Sequence, residues 1–291
     1  MDVVWGLVAA FGWGWSLFLS RLPMRAVGMI RATAFAELFS LSLLTLYMLQ
    51  SGTLADLMHP HLVDDWLYAV VILAINGVAN LLMFIAIDIG VMAIVIPITS
   101  AYAVFITIFD ILAGAVLDGG QYLGIALAIL GVMLITMPRR KSPIRHDQRG
   151  QMLGIIAAIA ASLLYGYSYW ATGWHVVPVL GSITPIWIGR MCTLAALAIY
   201  ARWRRNRKTA YDGMTWRIGI LIMLYAALDM GAFVANNVGY TVGSVTIVSV
   251  LASLYSAITV ILARIFYGER LSRLQWTAVT LILIGVVLVN V

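Results

Sequence analysis

Charged side chains are scarce in this 291-residue sequence. Asp, Glu, Lys and Arg together make up 10% of the residues, whereas 63% are hydrophobic and the mean hydropathy is +0.99. A soluble globular domain typically has about 25% charged residues. The chain therefore lacks the polar surface that a water-soluble globule requires, which excludes a soluble enzyme or a soluble binding module.

Disulfide frameworks, phosphate-binding loops and catalytic clusters are missing as well. The single cysteine, Cys192, excludes disulfide and cysteine-metal frameworks. The sequence has no G-x-x-x-x-G-K-[ST] loop, so ATP-driven chemistry is not supported. The four histidines are scattered, and no serine or cysteine nucleophile has a recognisable partner base. We therefore predict a protein that is not an enzyme and that holds no metal and no other cofactor.

The sequence does contain apolar runs of about 20 residues, the length that a helix needs to cross a bilayer. Ten such spans use most of the chain, at residues 3–20, 28–49, 66–87, 91–113, 121–137, 151–171, 182–202, 217–239, 243–266 and 273–291. The predicted fold is therefore an all-α integral membrane protein with ten transmembrane helices. The remaining loops are too short for a separate soluble domain.

The charges are divided between the two sides of the predicted membrane. With ten spans, every basic cluster falls on one side, at residues 21–25, 139–149, 202–217 and 264–273. The opposite side has only acidic residues, which are Asp2, Asp56, Asp64, Asp65 and Asp118. The positive-inside rule makes the basic side cytoplasmic and places both termini outside. We interpret the net charge of +6 as this topology signal of a multi-pass inner (cytoplasmic) membrane protein, and not as a nucleic-acid-binding surface.

The sequence is internally repeated at an offset of 153 residues. The stretch GVMAIVIPITSAYAVFITIFD, which begins at Gly90, has the same rhythm as GSVTIVSVLASLYSAITVILA, which begins at Gly243. Further pairs share this offset, among them Ser100 with Ser253, Tyr102 with Tyr255, and Asn76 with Asp229. Arg31 and Arg190 correspond more loosely, each in the second span of its half. A nearly constant offset over several helices indicates two copies of one structural unit.

Each half has five predicted spans, and an odd number turns the second half upside down relative to the first. We therefore predict two inverted five-helix repeats: residues 1–137 form the first, residues 138–150 form a basic cytoplasmic linker, and residues 151–291 form the second. Inverted repeats allow one helix set to rock against the other, so that a central site opens to each side of the membrane in turn. This arrangement is typical of secondary transporters.

The segment SLYSAITVILARIFYGERLSRLQWTAVTLILIGVVL contains Tyr255, Gly268-Glu269-Arg270, Gln275 and Gly285. Together with the five-plus-five plan, it resembles the drug/metabolite transporter superfamily, and specifically its EamA-type members. The resemblance covers almost the whole chain, although the first half departs from it where Ala103 stands in place of a frequent proline. The resemblance implies export or exchange of small metabolites, such as amino acids or amines, without ATP.

Asp110 is a charged residue closer to the end of a predicted span, where a structural pair or snorkelling to the interface is favoured. Three further charged residues lie well inside predicted spans: Glu37, Arg190 and Asp229. A charge within a bilayer costs about 2.5 kcal/mol or more by insertion scales, so it marks a functional site by default. We predict that these residues recognise charge or couple transport to an ion, with Asp229 the first choice and Glu37 the second. A structural ion pair that locks two helices is the alternative. Arg190 could pair with either carboxylate.

Amides and aromatic rings complete the candidate site. Asp229 and Asn236 share one face of the eighth predicted span, and Asn76 and Asn80 share one face of the third. Because amides that faced lipid would lack partners, they should line a cavity or a helix contact. Mid-span rings could attract an organic cation or stack on an aromatic amino acid. The candidate substrate-binding residues are Asp229, Asn236, Asn237, Asn76, Asn80, Trp13, Trp15, Tyr102, Tyr165, Tyr167 and Tyr255.

The sequence thus favours a secondary transporter of a small polar metabolite, an amino-acid-like exporter or exchanger that works by alternating access. A transporter of an organic cation, such as a choline-like compound, a polyamine or a cationic drug, is the alternative within transport. A passive channel or a non-transporting membrane scaffold is the alternative from another class. The expected partners are a small-molecule substrate and the lipid bilayer but no nucleic acid, and the chain is expected to be a monomer or a homodimer.

Overall fold

The computed structural model describes residues 1–56, 62–90, 92–114, 119–136, 148–203, 213–267 and 273–288. These residues form helices and no strands. The helices are α1 (Asp2–Val27), α2 (Met29–Ser51), α3 (Thr53–Asp56), α4 (Val63–Ile89), α5 (Met92–Ser100), α6 (Tyr102–Leu112), α7 (Gly119–Thr136), α8 (Gln148–Ala171), α9 (Val177–Leu180), α10 (Thr184–Trp203), α11 (Trp216–Val242), α12 (Val245–Ser253), α13 (Tyr255–Tyr267) and α14 (Arg273–Leu288). A π-helical turn, Thr172–Val176, joins α8 to α9.

Within the described residues, eight helical segments are long and apolar enough to cross a bilayer. They correspond to the first four predicted spans and to the sixth through the ninth. The helices α7 and α14 occupy the places of the fifth and tenth spans and pack against each other, and α14 includes the shorter apolar stretch Trp276–Gly285. The predicted all-α membrane fold is therefore confirmed, while the count of ten spans stays a prediction.

Two predicted spans are broken at equivalent places. The fourth span divides into α5 and α6 at Ala101, and the ninth divides into α12 and α13 at Leu254, 153 residues later. In both cases the serine before the break donates its hydroxyl to the carbonyl three residues back, at 2.8 Å for Ser100 and 2.7 Å for Ser253. Such side-chain bonds compete with the backbone ladder and bend helices. Pro97 is not required, since the second break has no proline nearby.

The sixth span is longer than predicted. Its helix does not end at Ala171 but continues through the π-helical turn and α9 to Leu180. A π-turn holds one residue more than an α-turn and is frequent at functional sites. Here the turn places Thr172 beside a polar cavity and Trp174 beside Asp110. The predicted linker, residues 138–150, lies outside the described residues except for its last three, which belong to α8.

Contacts between helix ends show how the helices run. At one end of the bundle, Gly243 at the end of α11 lies against Asp2 at the start of α1. Thr246, near the start of α12, bonds at this same end to Asp110, and Asp110 also bonds Trp174 just after α8. At the other end, Gly90 after α4 lies against Gly154 near the start of α8. The helices α1 and α8 therefore begin at opposite ends of the bundle.

Because α1 opens the first half and α8 opens the second, their opposite directions make the two halves inverted. The same holds for α4 and α11, whose ends lie at opposite faces of the bundle. The inverted arrangement predicted from the sequence is thus confirmed. The face on which α1 begins carries Asp2, Asp64 and Asp65, and we call it the acidic face; the face on which α8 begins is the basic face.

The halves pack on each other through matching glycines. A side chain on Gly14 of α1 would come within 2.6 Å of Ile258 and 3.2 Å of the carbonyl of Tyr255 in α13. A side chain on Gly166 of α8 would overlap Phe105 and lie 3.0 Å from the carbonyl of Tyr102 in α6. These are the same contact formed twice, since small residues allow helices in membranes to approach closely.

Replacing Gly166 with alanine should therefore lower the thermal stability of the detergent-purified protein. The added methyl group meets a backbone carbonyl and a side-chain β-carbon that cannot easily move, and overpacking of this kind costs about 1–3 kcal/mol. The matched control is Gly231→Ala in α11, where nothing lies within 4 Å of the new carbon. A melting temperature for Gly166→Ala equal to that of Gly231→Ala would contradict the packing described here.

Candidate functional site

Glu37, Arg190 and Asp229 meet inside the helical bundle. One guanidinium nitrogen of Arg190, Nη1, donates to both carboxylate oxygens of Glu37, at 3.3 Å and 3.2 Å. The other, Nη2, lies 2.7 Å from Oδ2 of Asp229. Arg190 and Glu37 are 5% and 4% exposed. The arginine left open by the sequence thus pairs with both carboxylates at once, and we call these three residues the charge triad.

The charge triad crosses the boundary between the repeats. Glu37 lies on α2 of the first half, whereas Arg190 on α10 and Asp229 on α11 belong to the second. Glu37 and Arg190 are 153 residues apart, which is the repeat offset, so they are equivalent positions of the two halves. The inverted repeats therefore place an acid and a base of equivalent position in direct contact.

Two carboxylates share one guanidinium in the triad. When both are ionised, the cluster has one more negative charge than positive, in a region with little water. An uncompensated charge there is costly, whereas a bound proton or a cationic group would neutralise it. The side chain of Asp229 is 24% exposed, compared with 5% for that of Glu37. Asp229 is therefore the carboxylate more accessible to such a neutralising group.

A narrow polar cavity lies beside the triad, between α4, α8, α10 and α11. It measures about 20 Å³, which is room for about one water molecule. Its lining consists of Leu73, Asn76, Asn80, Tyr169, Thr172, Pro185, Ile186, Gly189, Arg190, Thr193, Phe233 and Asn237. In this conformation the cavity does not accept a metabolite, so a substrate could enter only if these helices moved apart.

A hydrogen-bond network holds one wall of the cavity. Asn80 accepts from the hydroxyl of Tyr165 at 2.7 Å and donates to Asn76 at 3.1 Å and to Thr193 at 3.3 Å. Asn76 in turn donates to Ser168 at 3.0 Å. The network links α4 of the first half to α8 and α10 of the second. The amides thus sit at the contact between the halves, and they also line the cavity.

Aromatic rings stack in a layer next to the cavity. Tyr169 lies parallel to Tyr165, with ring centroids 5.5 Å apart, and 5.0 Å from Tyr102. Trp13 is 5.0 Å from Phe233 and 6.2 Å from Tyr255. The hydroxyls of Tyr102 and Tyr255 bond across the repeats, to the carbonyl of Ser249 and the hydroxyl of Thr99. All but Phe233 are buried, so this layer belongs to the bundle interior.

Some predicted site residues lie elsewhere. Trp15 contacts Phe11 and Phe18 on its own helix, and Tyr167 contacts Phe109 and Trp170. Neither is among the cavity-lining residues, and the same holds for five other predicted residues: Asp229, Trp13, Tyr102, Tyr165 and Tyr255. Asn237 lines the cavity and donates to the carbonyl of Ser182 at 2.9 Å. Asn236 is 1% exposed but is outside the lining.

The structure also brings to the cavity residues that the sequence did not single out. Its lining includes Thr193, Tyr169, Thr172 and Phe233. Ser168 is not in the lining but accepts a hydrogen bond from Asn76. Phe233 follows Asp229 by four residues on α11, and Thr193 follows Arg190 by three on α10. Helical spacing from the charged residues would have found these two. Tyr169 carries no such signal, because the sequence around it is rich in aromatic residues throughout.

A second polar cluster lies at the acidic face, around Asp110. The carboxylate accepts hydrogen bonds from the indole nitrogens of Trp170 and Trp174, at 2.8 Å and 3.1 Å, and from the hydroxyl of Thr246 at 2.6 Å. Asp110 belongs to the first half and its three partners to the second. The cluster therefore joins the two halves on this face. The equivalent of Asp110 in the second half is Ala263, which cannot form such bonds.

No set of three or more histidine, cysteine, aspartate or glutamate side chains in the described part of the chain could hold a metal ion. The polar groups at the cavity are amides, hydroxyls and one guanidinium.

Two inverted helical repeats around a polar cavity define the class, an integral membrane transporter fold. The profile of the EamA-like transporter family matches residues 1–137 and 152–291, and the chain belongs to this family. The resemblance found in the sequence is thereby confirmed, and the family indicates a transporter of the drug/metabolite type rather than an enzyme.

Comparison with solved structures supports the fold independently. The chain is similar to 21 chains of solved structures. One crystal structure is similar over 99% of this chain and 96% of its own, with a TM-score of 0.68 and 17% sequence identity. Identity at this level speaks for the fold alone. No curated protein sequence matches the chain.

Replacing Arg190 with glutamine should strongly destabilise the protein in detergent. The substitution leaves Glu37 and Asp229 close together without a cation, and removing one partner from a buried ion pair costs about 3–5 kcal/mol. The double variant Glu37→Gln, Arg190→Gln removes one of the stranded carboxylates, so its melting temperature should recover part of the loss. An Arg190→Gln variant that melts at the wild-type temperature would show that the triad carries little of the stability.

Proposed function

We propose that the protein is a secondary transporter of a small zwitterionic metabolite, an amino-acid-like exporter or exchanger that works by alternating access. The observation that carries the proposal is the charge triad, which joins the two inverted halves next to the polar cavity. Substrate sites of inverted-repeat transporters lie near the bilayer midplane at the repeat interface. Asp229 is at the middle of α11, which fits that depth.

A zwitterion fits the triad because it can replace the ion pair between Arg190 and Asp229 with two new ones, one to each residue. Its ammonium group would replace Arg190 beside Asp229, while its carboxylate would replace Asp229 beside Arg190. The contact between Arg190 and Asp229 suits this exchange, since it involves a single pair of atoms, Nη2 and Oδ2, 2.7 Å apart. The contact with Glu37, which uses both carboxylate oxygens, would hold Arg190 in place meanwhile.

The surplus negative charge of the triad offers a way to couple transport to a proton gradient. With a zwitterion bound the site still has one uncompensated negative charge, and a proton on one carboxylate would neutralise it. Proton binding and substrate binding at the same cluster would then be linked, as ion-coupled transport requires. We propose Asp229 as the coupling and recognition residue and Glu37 as the second carboxylate, with Asn76, Asn80 and Asn237 orienting polar groups of the substrate.

An organic cation is the second candidate substrate. It would neutralise the triad without a proton, and aromatic rings such as Trp13 and Tyr169 lie nearby. Against it, the guanidinium of Arg190 already lies 4.9 Å from the ring centroid of Phe233. That ring, which lines the cavity, is therefore already occupied by a cation. The remaining lining is richer in hydrogen-bond donors than in carboxylates, which favours the zwitterion.

The finer assignments follow from this function. We propose that residues 1–137 and 151–291 are the two moving units, with the linker at 138–150 on the cytoplasmic side. The inner (cytoplasmic) membrane is the proposed location, because the basic face collects the cationic loops. A monomer is sufficient for the mechanism, since the cavity lies within one chain.

The Asp229→Asn variant, reconstituted in proteoliposomes, should transport substantially less than wild type. It should also lose the dependence of flux on a pH gradient, because it removes the accessible carboxylate and with it the surplus charge. Radiolabelled amino acids and amines serve as substrates, and Asp64→Asn at the exposed start of α4 serves as the control. Unchanged flux for every substrate and pH gradient would remove Asp229 from the mechanism. Flux far above that of a gated cycle would indicate a channel.

A further inference from the structure

Two side chains on α10 that carry hydrogen-bond donors are among the residues that line the cavity. Arg190 and Thr193 are three residues apart, which puts them on the same face of the helix, and both line the cavity. Arg190 is 5% exposed and Thr193 is 1% exposed. Their donors therefore belong to the interior of the bundle, where bulk water does not satisfy them.

The guanidinium of Arg190 has unused donors. Its Nη1 is engaged with Glu37. Its Nη2 lies 2.7 Å from Oδ2 of Asp229, whereas its Nε, although buried, has no hydrogen-bond acceptor among the residues that the structure describes. A guanidinium offers five N–H groups in a fixed plane. Arg190 thus retains donor capacity after it has formed the charge triad.

Thr193 has an unused donor for a different reason. Its hydroxyl oxygen accepts from Nδ2 of Asn80, so the hydroxyl proton remains free to donate. Asn80 has two further partners, because its oxygen accepts from Tyr165 and its nitrogen also donates to Asn76. Within the described part of the chain the proton of Thr193 has no acceptor. Donors of this kind, in a membrane interior, require an acceptor from another source.

We infer that Arg190 and Thr193 form an oxyanion subsite that takes the carboxylate of the transported zwitterion. Guanidinium N–H groups and a hydroxyl together match a carboxylate, which accepts several hydrogen bonds and forms its strongest ones with charged donors. The inference rests on the proposed function and extends it, since it assigns the carboxylate end of the substrate to named atoms. Asp229, on the other side of Arg190, is left for the ammonium end.

The present size of the cavity fits this assignment. At about 20 Å³ it holds roughly one water molecule, and Nε and Nη2 of Arg190 are buried from water in the conformation described, so a ligand can reach them only when the helices move. When α10 and α4 separate, the carboxylate replaces that water. Thr193 then discriminates between ligands. A ligand with a carboxylate accepts a hydrogen bond from its hydroxyl, whereas an amine without a carboxylate leaves the hydroxyl unpaired. Sites with buried hydrogen-bonding groups bind ligands of the second kind more weakly.

The experiment compares binding by wild type with that by Thr193→Val and Thr193→Ser, using the full chain in detergent. Each of the twenty proteinogenic amino acids is titrated by calorimetry, and for each one that binds, its carboxamide and its decarboxylated amine follow. Thr193→Val keeps the shape of the side chain but removes the donor. It should weaken amino-acid binding about ten- to a hundredfold, the usual loss for a hydrogen bond to a charged group. Thr193→Ser should bind close to wild type.

Comparing amine binding with amino-acid binding distinguishes a carboxylate subsite at Thr193 from a purely structural role of this residue. If Thr193 only supports Asn80, Thr193→Val should weaken amines and amino acids equally, and that result would overturn the inference. If amino acids bind wild type and Thr193→Val equally well, the inference also fails, but the proposed function stands. If amines bind and no amino acid does, the proposed zwitterion itself is wrong. Should Thr193→Val not fold, Arg190→Lys, which keeps the charge but lacks the Nε donor, should show the same selective loss.

Discussion

The bilayer offers no water to a buried charge, and this constraint determines the centre of the molecule. Glu37, Arg190 and Asp229 can lie inside the bundle only because each finds its partner within about 3 Å. The pairing fixes the relative positions of α2, α10 and α11, and it crosses from one repeat to the other. The cavity, the amide network and the aromatic layer are arranged around this contact.

Inverted repeats would by themselves place identical side chains opposite each other at the pseudo-symmetry axis. Identical charges there would repel, because equivalent positions meet at the centre. The chain has an acid at position 37 and a base at position 190 instead, so the axis is spanned by an attractive pair. The same divergence separates Asn76 from its equivalent Asp229. Because these few equivalent positions carry different side chains, the two repeats form a site that has a cationic group on one side and carboxylates on the other.

Several contacts and helix breaks occur at equivalent positions of the two halves. Matching glycines let α1 and α8 approach their partners closely, and matching serines break the fourth and ninth spans at equivalent residues. Only the acidic face is joined by Asp110 and its three donors. This cluster joins the halves at the acidic face, although the halves themselves share one plan.

Much of the fold could be predicted from the sequence, because hydropathy and the 153-residue offset are properties of whole segments. Glu37, Arg190 and Asp229 stood out as charges within apolar runs, and they do meet. Their partners could not be assigned, since Arg190 was compared loosely with Arg31, and only the contact with Glu37 reveals the equivalence. Thr193 could have been found by its helical spacing from Arg190, whereas Tyr169 gave no signal, because the sequence around it is rich in aromatic residues.

Trp15 and Tyr167 remain predicted site residues, but the structure places them apart from the cavity. Both belong to the repeated W-G-W-S and Y-G-Y-S motifs, and the repeat made them look equivalent to Trp13 and Tyr165. One helix turn holds only 3.6 residues, so side chains two apart point to different sides of the helix. Trp13 and Tyr165, the first residues of the two motifs, therefore face the bundle centre. Trp15 and Tyr167, the third residues, do not.

The central claim is that two inverted copies of one unit meet at the charge triad, and labelling of equivalent residues tests it most directly. Asp64 at the start of α4 and Arg217 at the start of α11 are exposed and 153 residues apart. In a Cys192→Ser background, single cysteines at these two positions would be treated with a membrane-impermeant maleimide in sealed vesicles of known orientation. The account predicts that the two cysteines react from opposite sides of the membrane. Reaction from the same side would contradict it.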